Sequence, residues 1–375
     1  MSLSQKVDPL LQDWQTFLRR DVLSEPERIG PRLAGNNVLI TGAGGCIGSA
    51  LAKSVARSGA RGLILVDSSE GALYDIQQAL TESTGTPPLS PILASVCDPM
   101  ALSSLFEQHQ PEIIFHTAAF KHVPLMESNP FAVVANNVFG THLLATAAAR
   151  YGCQQMLMVS TDKAVDPSSI MGASKRIAEQ ILLAPQPDAV CRKVVRLGNV
   201  LGSSGSVVPL FLRQIAHGGQ VTVSHPEVSR YFMTLAEAVA ALLHALSPNI
   251  PAGLLVPPLA NPIRILDLAK YLIAQESPDN NVPIVFTELR PGDKMDESLI
   301  SSRESYQNVS NSPLRKVHTP LLSLDELSAA LDALRTASQQ RNLPGLLAAV
   351  ERIVPEYQPS AQLREQVQAA ATVNA

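Results

Sequence analysis

The side chains best suited to chemistry lie in one short run, Ser160 to Lys175. Ser160, Thr161, Asp162 and Lys163 offer two hydroxyls, a carboxyl and an amine in succession. An adjacent carboxyl and amine can serve as general acid and general base on one small molecule, if each is shifted from its ordinary pKa. Met171 and Lys175 follow at i and i+4, so on a helix they share one face. In an arbitrary protein an Asp-Lys pair at a strand end is most often a solvated ion pair. A Met at a helix start is most often core packing. Here the run directly follows the continuous apolar stretch Met156–Val159. Open α/β sheets bind their ligands at the carboxyl ends of such strands.

A second cluster lies upstream. Thr41-Gly42-Ala43-Gly44-Gly45-Cys46-Ile47-Gly48 follows the apolar run Val38–Ile40 and precedes a helical pattern. Gly42, Gly45 and Gly48, with Cys46 and Ile47 between them, let the backbone turn tightly against a pyrophosphate. The following helix start offers N–H groups and a positive dipole to the anion. Asp67 ends the next apolar run, where a carboxylate can accept hydrogen bonds from adenosine ribose hydroxyls. It also repels a 2′-phosphate, and positions 68–71 hold no Arg or Lys. NAD is the expected cofactor, with NADP as the alternative if Arg61 folds back.

These groups need a scaffold, and the apolar runs supply one. Leu63–Val66, Ile92–Ala94, Ile113–Phe115, Met156–Val159 and Val194–Val195 are continuous rather than alternating, each followed by a helical pattern. Strands covered by helices on both faces read this way. The fold class is therefore α/β: a Rossmann-type doubly wound parallel sheet, with a smaller mixed α/β lobe and a C-terminal helical tail. Residues 1–35 form an N-terminal helical extension around Trp14, Phe17 and Leu18, packed on the surface. Residues 36–200 form the cofactor domain, with 220–250 returning to it. The polar loop Gly202–Ser206 opens a substrate lobe, 201–219 and 251–303. Residues 304–375 form a helical tail, frayed over its last Ala/Gln-rich stretch.

Composition excludes several classes. The 62 charged residues, 29 basic and 33 acidic, make only 17% of 375, and the net charge is −4. No basic field for nucleic acid exists, and the 46% hydrophobic content excludes disorder. Two long stretches raise a membrane question. Ala238–Pro262 is broken by Pro248, Pro251, Pro257, Pro258 and Pro262, and Ser128–Ala149 carries Asn129, Asn136, Asn137 and His142. Neither is expected to span a bilayer, and no signal peptide is expected. Cys46, Cys97, Cys153 and Cys191 form no CxxC pair. They read as reduced thiols of a cytoplasmic protein with no metal site.

The run Ser160–Lys175 resembles the extended short-chain dehydrogenase/reductase superfamily, with Met171 at the position of its usual tyrosine. The match narrows to the nucleotide-sugar 4,6-dehydratases of the polysaccharide biosynthesis protein (CapD-like) family, in which Met often replaces Tyr. Phe115–Glu127, Asn137–Thr141, Arg196–Pro209, Ser229–Thr234 and Leu289–Lys294 agree with that family over residues 10 to 357.

The resemblance implies conversion of UDP-N-acetylglucosamine to its 4-keto-6-deoxy form with retention at C5. Asp162 would protonate the C6 oxygen, and Lys163 would take the C5 proton as a neutral amine. Lys175 would orient the nicotinamide ribose. Thr161 or a water on Lys175 would take the C4 hydroxyl proton, a task Met171 cannot perform. The resemblance adds Ser68, Val96, Ala118, Ala119, Lys121, Asn137 and Ser160 to the cofactor contacts. On the substrate side it implies Lys121, Thr161, Lys163, Asn199, and the guanidinium groups of Arg230 and Arg290 facing the uridine diphosphate. It further implies a homodimer through the helices after Asn137 and Met171.

Departures from the family pattern are Ser95 where an Asp commonly reads adenine, Cys46 for Ser, Phe120 for Tyr, and Pro257-Pro258 for a polar stretch. Two other functions compete with the first: a nucleotide-sugar epimerase or 5-inverting dehydratase, and a silent NAD-binding regulator.

Overall fold

The computed structural model describes residues 14–26, 30–258, 261–278 and 282–373. Residues 1–13 of the N-terminal extension lie outside them.

Strands β1 (Asn37–Thr41), β2 (Gly62–Asp67), β3 (Leu89–Leu93), β4 (Ile113–His116), β5 (Gln155–Thr161), β6 (Cys191–Leu197) and β7 (Gly253–Val256) pair in parallel. Strands β8 (Ser305–Asn308) and β9 (Arg315–His318) add an antiparallel edge. The order across the sheet is β3-β2-β1-β4-β5-β6-β7-β9-β8. Chain direction across the sheet reverses between β1 and β4, which is where a doubly wound sheet opens a ligand crevice. Successive side chains of β1 feed opposite faces: Leu39 joins one apolar cluster, while Val38 and Ile40 join another. That two-sided burial is why the strand reads as continuously apolar.

Three small pairings build the second lobe. Val221–Val223 pairs with Ile284–Phe286, Ser229–Arg230 with Ile263–Arg264, and Asn199–Val200 with Phe232–Met233. The helix Trp14–Leu18 is not merely laid on the surface: Trp14 is buried in this lobe's apolar cluster, and Phe17 lies 4.7 Å from the Tyr271 ring.

Several segments depart from the sequence expectation. Gly253–Val256, expected in the substrate lobe, is the seventh strand of the main sheet. The tail, expected to be wholly helical, begins with β8 and β9. Its last segment is helical over Ala361–Val373, with Leu363 fully buried.

The tail helix Leu343–Ile353 packs on the helix Ile170–Leu183, and the tail helix Leu324–Gln339 packs on Leu343–Ile353. Leu331, Leu334, Leu346, Val350 and Ile353 share one apolar cluster with Ile177 and Ile181. From Ile170 to Leu182 every side chain of that helix is buried within this single chain. The neighbouring helix Gly140–Arg150 meets the tail as well, with the Arg335 guanidinium 4.5 Å from the Phe139 ring. Of the two helices expected to hold a second subunit, Ile170–Leu183 is thus buried within this chain.

Among the described residues, one helical run, Pro130–Arg150, is long and apolar enough to cross a bilayer by length and composition, and 61% of it is buried inside this fold. A π-helical turn at Val134–Phe139 interrupts it.

Candidate active site

The glycine loop is shaped by close approaches. Gly42 has φ +68°, and a β-carbon there would lie 2.7 Å from the Ala118 backbone nitrogen. One on Gly48 would lie 2.1 Å from the Gly42 carbonyl oxygen. Gly44, which carried no role in the sequence reading, has the same constraint: a β-carbon would lie 2.5 Å from the Ala72 methyl. The helix Cys46–Ala56 starts at Gly45 with no side chain capping it, so its first N–H groups face the loop uncapped. Asp67 closes the loop from β2, accepting from the Gly44 N–H at 2.9 Å and the Ser69 N–H at 2.9 Å. Each oxygen keeps a lone pair for a ribose hydroxyl. The cradle, the uncapped helix start and the strand-end carboxylate fit a dinucleotide.

Other cofactor candidates take varied places. Ala118 and Ala119 follow β4 beside Gly42. Lys121 lies near Cys46, with its amine lowered by burial while the Cys46 thiol pulls the other way. Val96 is buried against Gly140, and Ser68 is exposed. Asn137 lies in the π-helical turn, and its amide is fully engaged. It accepts from the Phe120 N–H at 2.8 Å and donates to the Phe120 carbonyl at 3.0 Å and to Ser174 Oγ at 2.9 Å. It holds the loop after β4 against the helix carrying Lys175. Arg61 is tied to Glu112 at 2.6 Å and to Asn37 at 3.2 Å, at the opposite end of β2 from Asp67. It cannot serve a 2′-phosphate from there.

The second cluster forms where β5 ends. Thr161 caps a single 3-10 turn, Asp162–Ala164. Asp162 is fully buried, and its Oδ1 accepts from Thr161 Oγ1 at 2.8 Å and Lys163 Nζ at 3.0 Å. Its Oδ2 is buried with no hydrogen-bond partner. Lys163 Nζ also donates to Asn199 Oδ1 at 3.0 Å and lies 3.6 Å from Glu297 Oε1. Glu297 Oε2 is the second buried carboxylate oxygen without a partner. A buried acceptor with no donor costs about 1–3 kcal/mol, so two of them flanking one ammonium mark a place suited to a hydroxyl-bearing ligand.

Burial works against the charge of Lys163, but Asp162 and Glu297 outweigh it and hold the amine above its usual value. Lys175 moves the other way. It is buried, finds no hydrogen-bond partner among the described residues, and is pushed down to about 8 by burial against the pull of Glu179.

Below this site lies an ionic cluster that sequence reasoning missed. Glu179 accepts from Ser160 Oγ at 2.6 Å, from Arg176 at 3.1 Å and from Arg196 at 2.7 Å and 2.8 Å. Arg196 in turn pairs with Glu304 at 2.7 Å. Burial alone would raise Glu179, but the two arginines and Ser160 hold it down to about 2. Ser160 therefore fixes the floor of the site. Met171 is 3% exposed and belongs to the apolar cluster with Val123 and Met126, so it packs rather than reacts.

The arginines expected at the diphosphate behave differently. Arg230 is buried, and its guanidinium donates to the carbonyls of Ser229 at 2.7 Å, Met295 at 3.0 Å and Lys294 at 2.8 Å. It braces the turn that carries Glu297 and has little donor capacity left for phosphate. Arg290 is exposed, with its Nε held 2.8 Å from Asp293 and its other nitrogens open to ligand. Glu297 had no signal in the sequence: one carboxylate in the polar run after Leu289–Lys294 looks like any solvated residue. Among the described residues no group of three or more His, Cys, Asp or Glu side chains is placed to hold a metal ion.

Comparison with known proteins identifies the family and the fold. A family described as polysaccharide biosynthesis protein matches residues 38–318. The capsular polysaccharide biosynthesis protein CapD of Staphylococcus aureus is 40% identical over 280 residues, covering 74% of this chain and 47% of CapD. The probable polysaccharide biosynthesis protein EpsC of Bacillus subtilis is 39% identical over 289 residues, covering 76% of this chain and 48% of EpsC. The chain thus spans about half the length of these relatives. Among solved structures, Pen from Bacillus thuringiensis superposes with a TM-score of 0.71 at 26% identity, covering 78% of this chain and 90% of Pen.

Proposed function

The chain belongs to the polysaccharide biosynthesis protein family, and from that premise we propose that it is an NAD-dependent, C5-retaining UDP-N-acetylglucosamine 4,6-dehydratase supplying a 4-keto-6-deoxy sugar for glycan assembly. The observation that carries the reading is the buried Asp162–Lys163 contact at the end of β5, with an orphan carboxylate oxygen on either side. A 4-epimerisation needs no acid for a leaving hydroxyl; dehydration does. The engagement of Arg61 with Glu112, away from Asp67, favours NAD over NADP. Free thiols at Cys46, Cys97, Cys153 and Cys191 accord with a cytoplasmic setting.

The glycine loop and Asp67 would hold the NAD, which would supply the hydride chemistry between C4 and C6. The protein's part is proton handling. As an ion pair, neither Asp162 nor Lys163 is in the form its role requires, since the acid must carry a proton and the base must lack one. One proton moving from Lys163 Nζ to Asp162 Oδ1 along their 3.0 Å hydrogen bond produces both forms together. The neutral amine then takes the C5 proton, and the Asp162 carboxyl protonates the departing C6 oxygen. Lys175 presents an unpartnered ammonium to the ribose and to a water that can receive the C4 hydroxyl proton. Asn199 steadies Lys163, and Arg290 meets the diphosphate from the rim.

The test is incubation of the purified protein with UDP-N-acetylglucosamine in deuterium oxide, followed by mass spectrometry and NMR. Loss of water with one deuterium at C5 and unchanged C5 configuration is expected. A product of unchanged mass would leave the epimerase reading instead.

A further inference from the structure

The geometry points to Glu297 as a positioning residue for Lys163, a carboxylate that fixes where the amine stands and sets the pH at which it gives up its proton. This rests on the proton-transfer roles proposed above and adds a third group to them. Glu297 is 7% exposed, yet no hydrogen bond reaches its carboxylate among the described residues. Its nearest cations are Lys163 Nζ at 3.6 Å and Arg230 Nε at 3.7 Å. By contrast, Glu179 accepts four hydrogen bonds and Glu127 accepts from Ile170 and Ser360. Stability therefore does not account for Glu297, because a buried anion without hydrogen bonds is a burden on folding.

Its placement gives the reason. The turn carrying Glu297 is braced by Arg230, whose guanidinium holds the Lys294 and Met295 carbonyls. The same turn is fastened to the start of the catalytic helix, where Ser168 Oγ donates to the Gly292 carbonyl at 2.9 Å. A rigid backbone thus presents a carboxylate to one side of Lys163, with Asp162 and Asn199 on the others. The charged groups facing Lys163 are Asp162, Glu297, Arg230 and Lys294. Two anions hold the ammonium until a ligand arrives. Burial raises Glu297 itself, with Lys163 opposing, so its own charge yields readily to a change in its surroundings.

Removing the charge of Glu297 lowers the pKa of Lys163, because one of the two anions stabilising the ammonium is gone. For Glu297→Gln the acid limb of the rate–pH profile moves down by about one unit, and turnover at its optimum falls about tenfold as the amine loses its fix. Reduction of bound NAD on adding substrate, which reports C4 oxidation alone, stays near wild type. Glu297→Asp keeps the charge and restores the position of the limb. A general loss of folding lowers amplitude at every pH without moving the limb, and thermal melting with NAD present checks it independently. A wild-type limb position in Glu297→Gln, while wild type loses water, overturns the assignment and leaves the dehydratase reading intact. Wild type that returns only the 4-epimer overturns both. If Glu297→Gln does not fold, Glu297→Ala takes its place: a limb moved down supports the assignment, and a limb at the wild-type position overturns it.

Discussion

A β-carbon on Gly172 would lie 2.2 Å from the carbonyl oxygen of Lys163. The helix Ile170–Leu183 and the turn Asp162–Ala164 therefore touch backbone to backbone, and only glycine permits it. Gly172→Ala must push the turn away, because a carbonyl has no rotamer to escape into. Turnover is expected to drop at least about tenfold, with NAD affinity retained. Steady-state rates beside a cofactor titration check it.

Asp162→Asn removes the proton donor while keeping nearly the same shape. Water loss is expected to fall by about a hundredfold or more, with apparent substrate affinity unchanged. Near-full turnover with intact binding would remove Asp162 from the mechanism.

Arg230 and Arg290 part ways. Arg230→Ala strips three backbone carbonyls of their donor and leaves Glu297 with one cation fewer, so thermal stability falls along with turnover. Arg290→Ala touches only the rim, so stability is kept while apparent KM rises. Melting curves and kinetics on both variants separate these outcomes.

His116 predicts an acid limit. Its ring bridges Thr41 Oγ1 at 2.8 Å and Thr141 Oγ1 at 2.9 Å, and burial, helped by the charge of Lys175, pulls it down to about 3. The unfolded chain takes up a proton near the ordinary value of 6.5 that the folded chain refuses. Stability is therefore present above about 6.5 and drains as pH falls toward 3. Glu179 adds to the loss lower down, between 4.5 and about 2. His116→Gln is expected to flatten the upper part of this decline in a series of thermal melts.

Leu346 is fully buried where the tail meets the catalytic helix. Leu346→Ala is expected to cost about 2–5 kcal/mol, read by urea unfolding, although Leu346 lies far along the chain from every catalytic group.

The parallel sheet, the glycine loop with Asp67, and the cluster at the end of β5 were readable because each leaves a local mark: a continuous apolar run, a spacing of small residues, a polar run after a strand. Residues whose roles depend on distant partners left none. Glu297, Glu179 and Arg196 are ordinary charged residues in sequence, and only folding sets Arg196 against Glu179 and Glu304. Arg230 shows the same limit: its motif suggested a phosphate contact, and folding also sets three of its donors on backbone carbonyls. Lys163 was expected to be a neutral amine, and the two carboxylates that keep it charged lie one residue and more than a hundred residues away.

The covering of the helix Ile170–Leu183 by the helix Leu343–Ile353 bears on how the protein is made. The covering segment follows every strand of the sheet in the chain, whereas the glycine loop precedes most of them. A nascent chain can assemble its cofactor cradle while the helix carrying Lys175 still exposes apolar surface. Until the helix Leu343–Ile353 has emerged, that surface is open to chaperones or to another nascent copy, so a chain stopped after β9 would have an intact nucleotide fold and an uncovered Ile170–Leu183 helix.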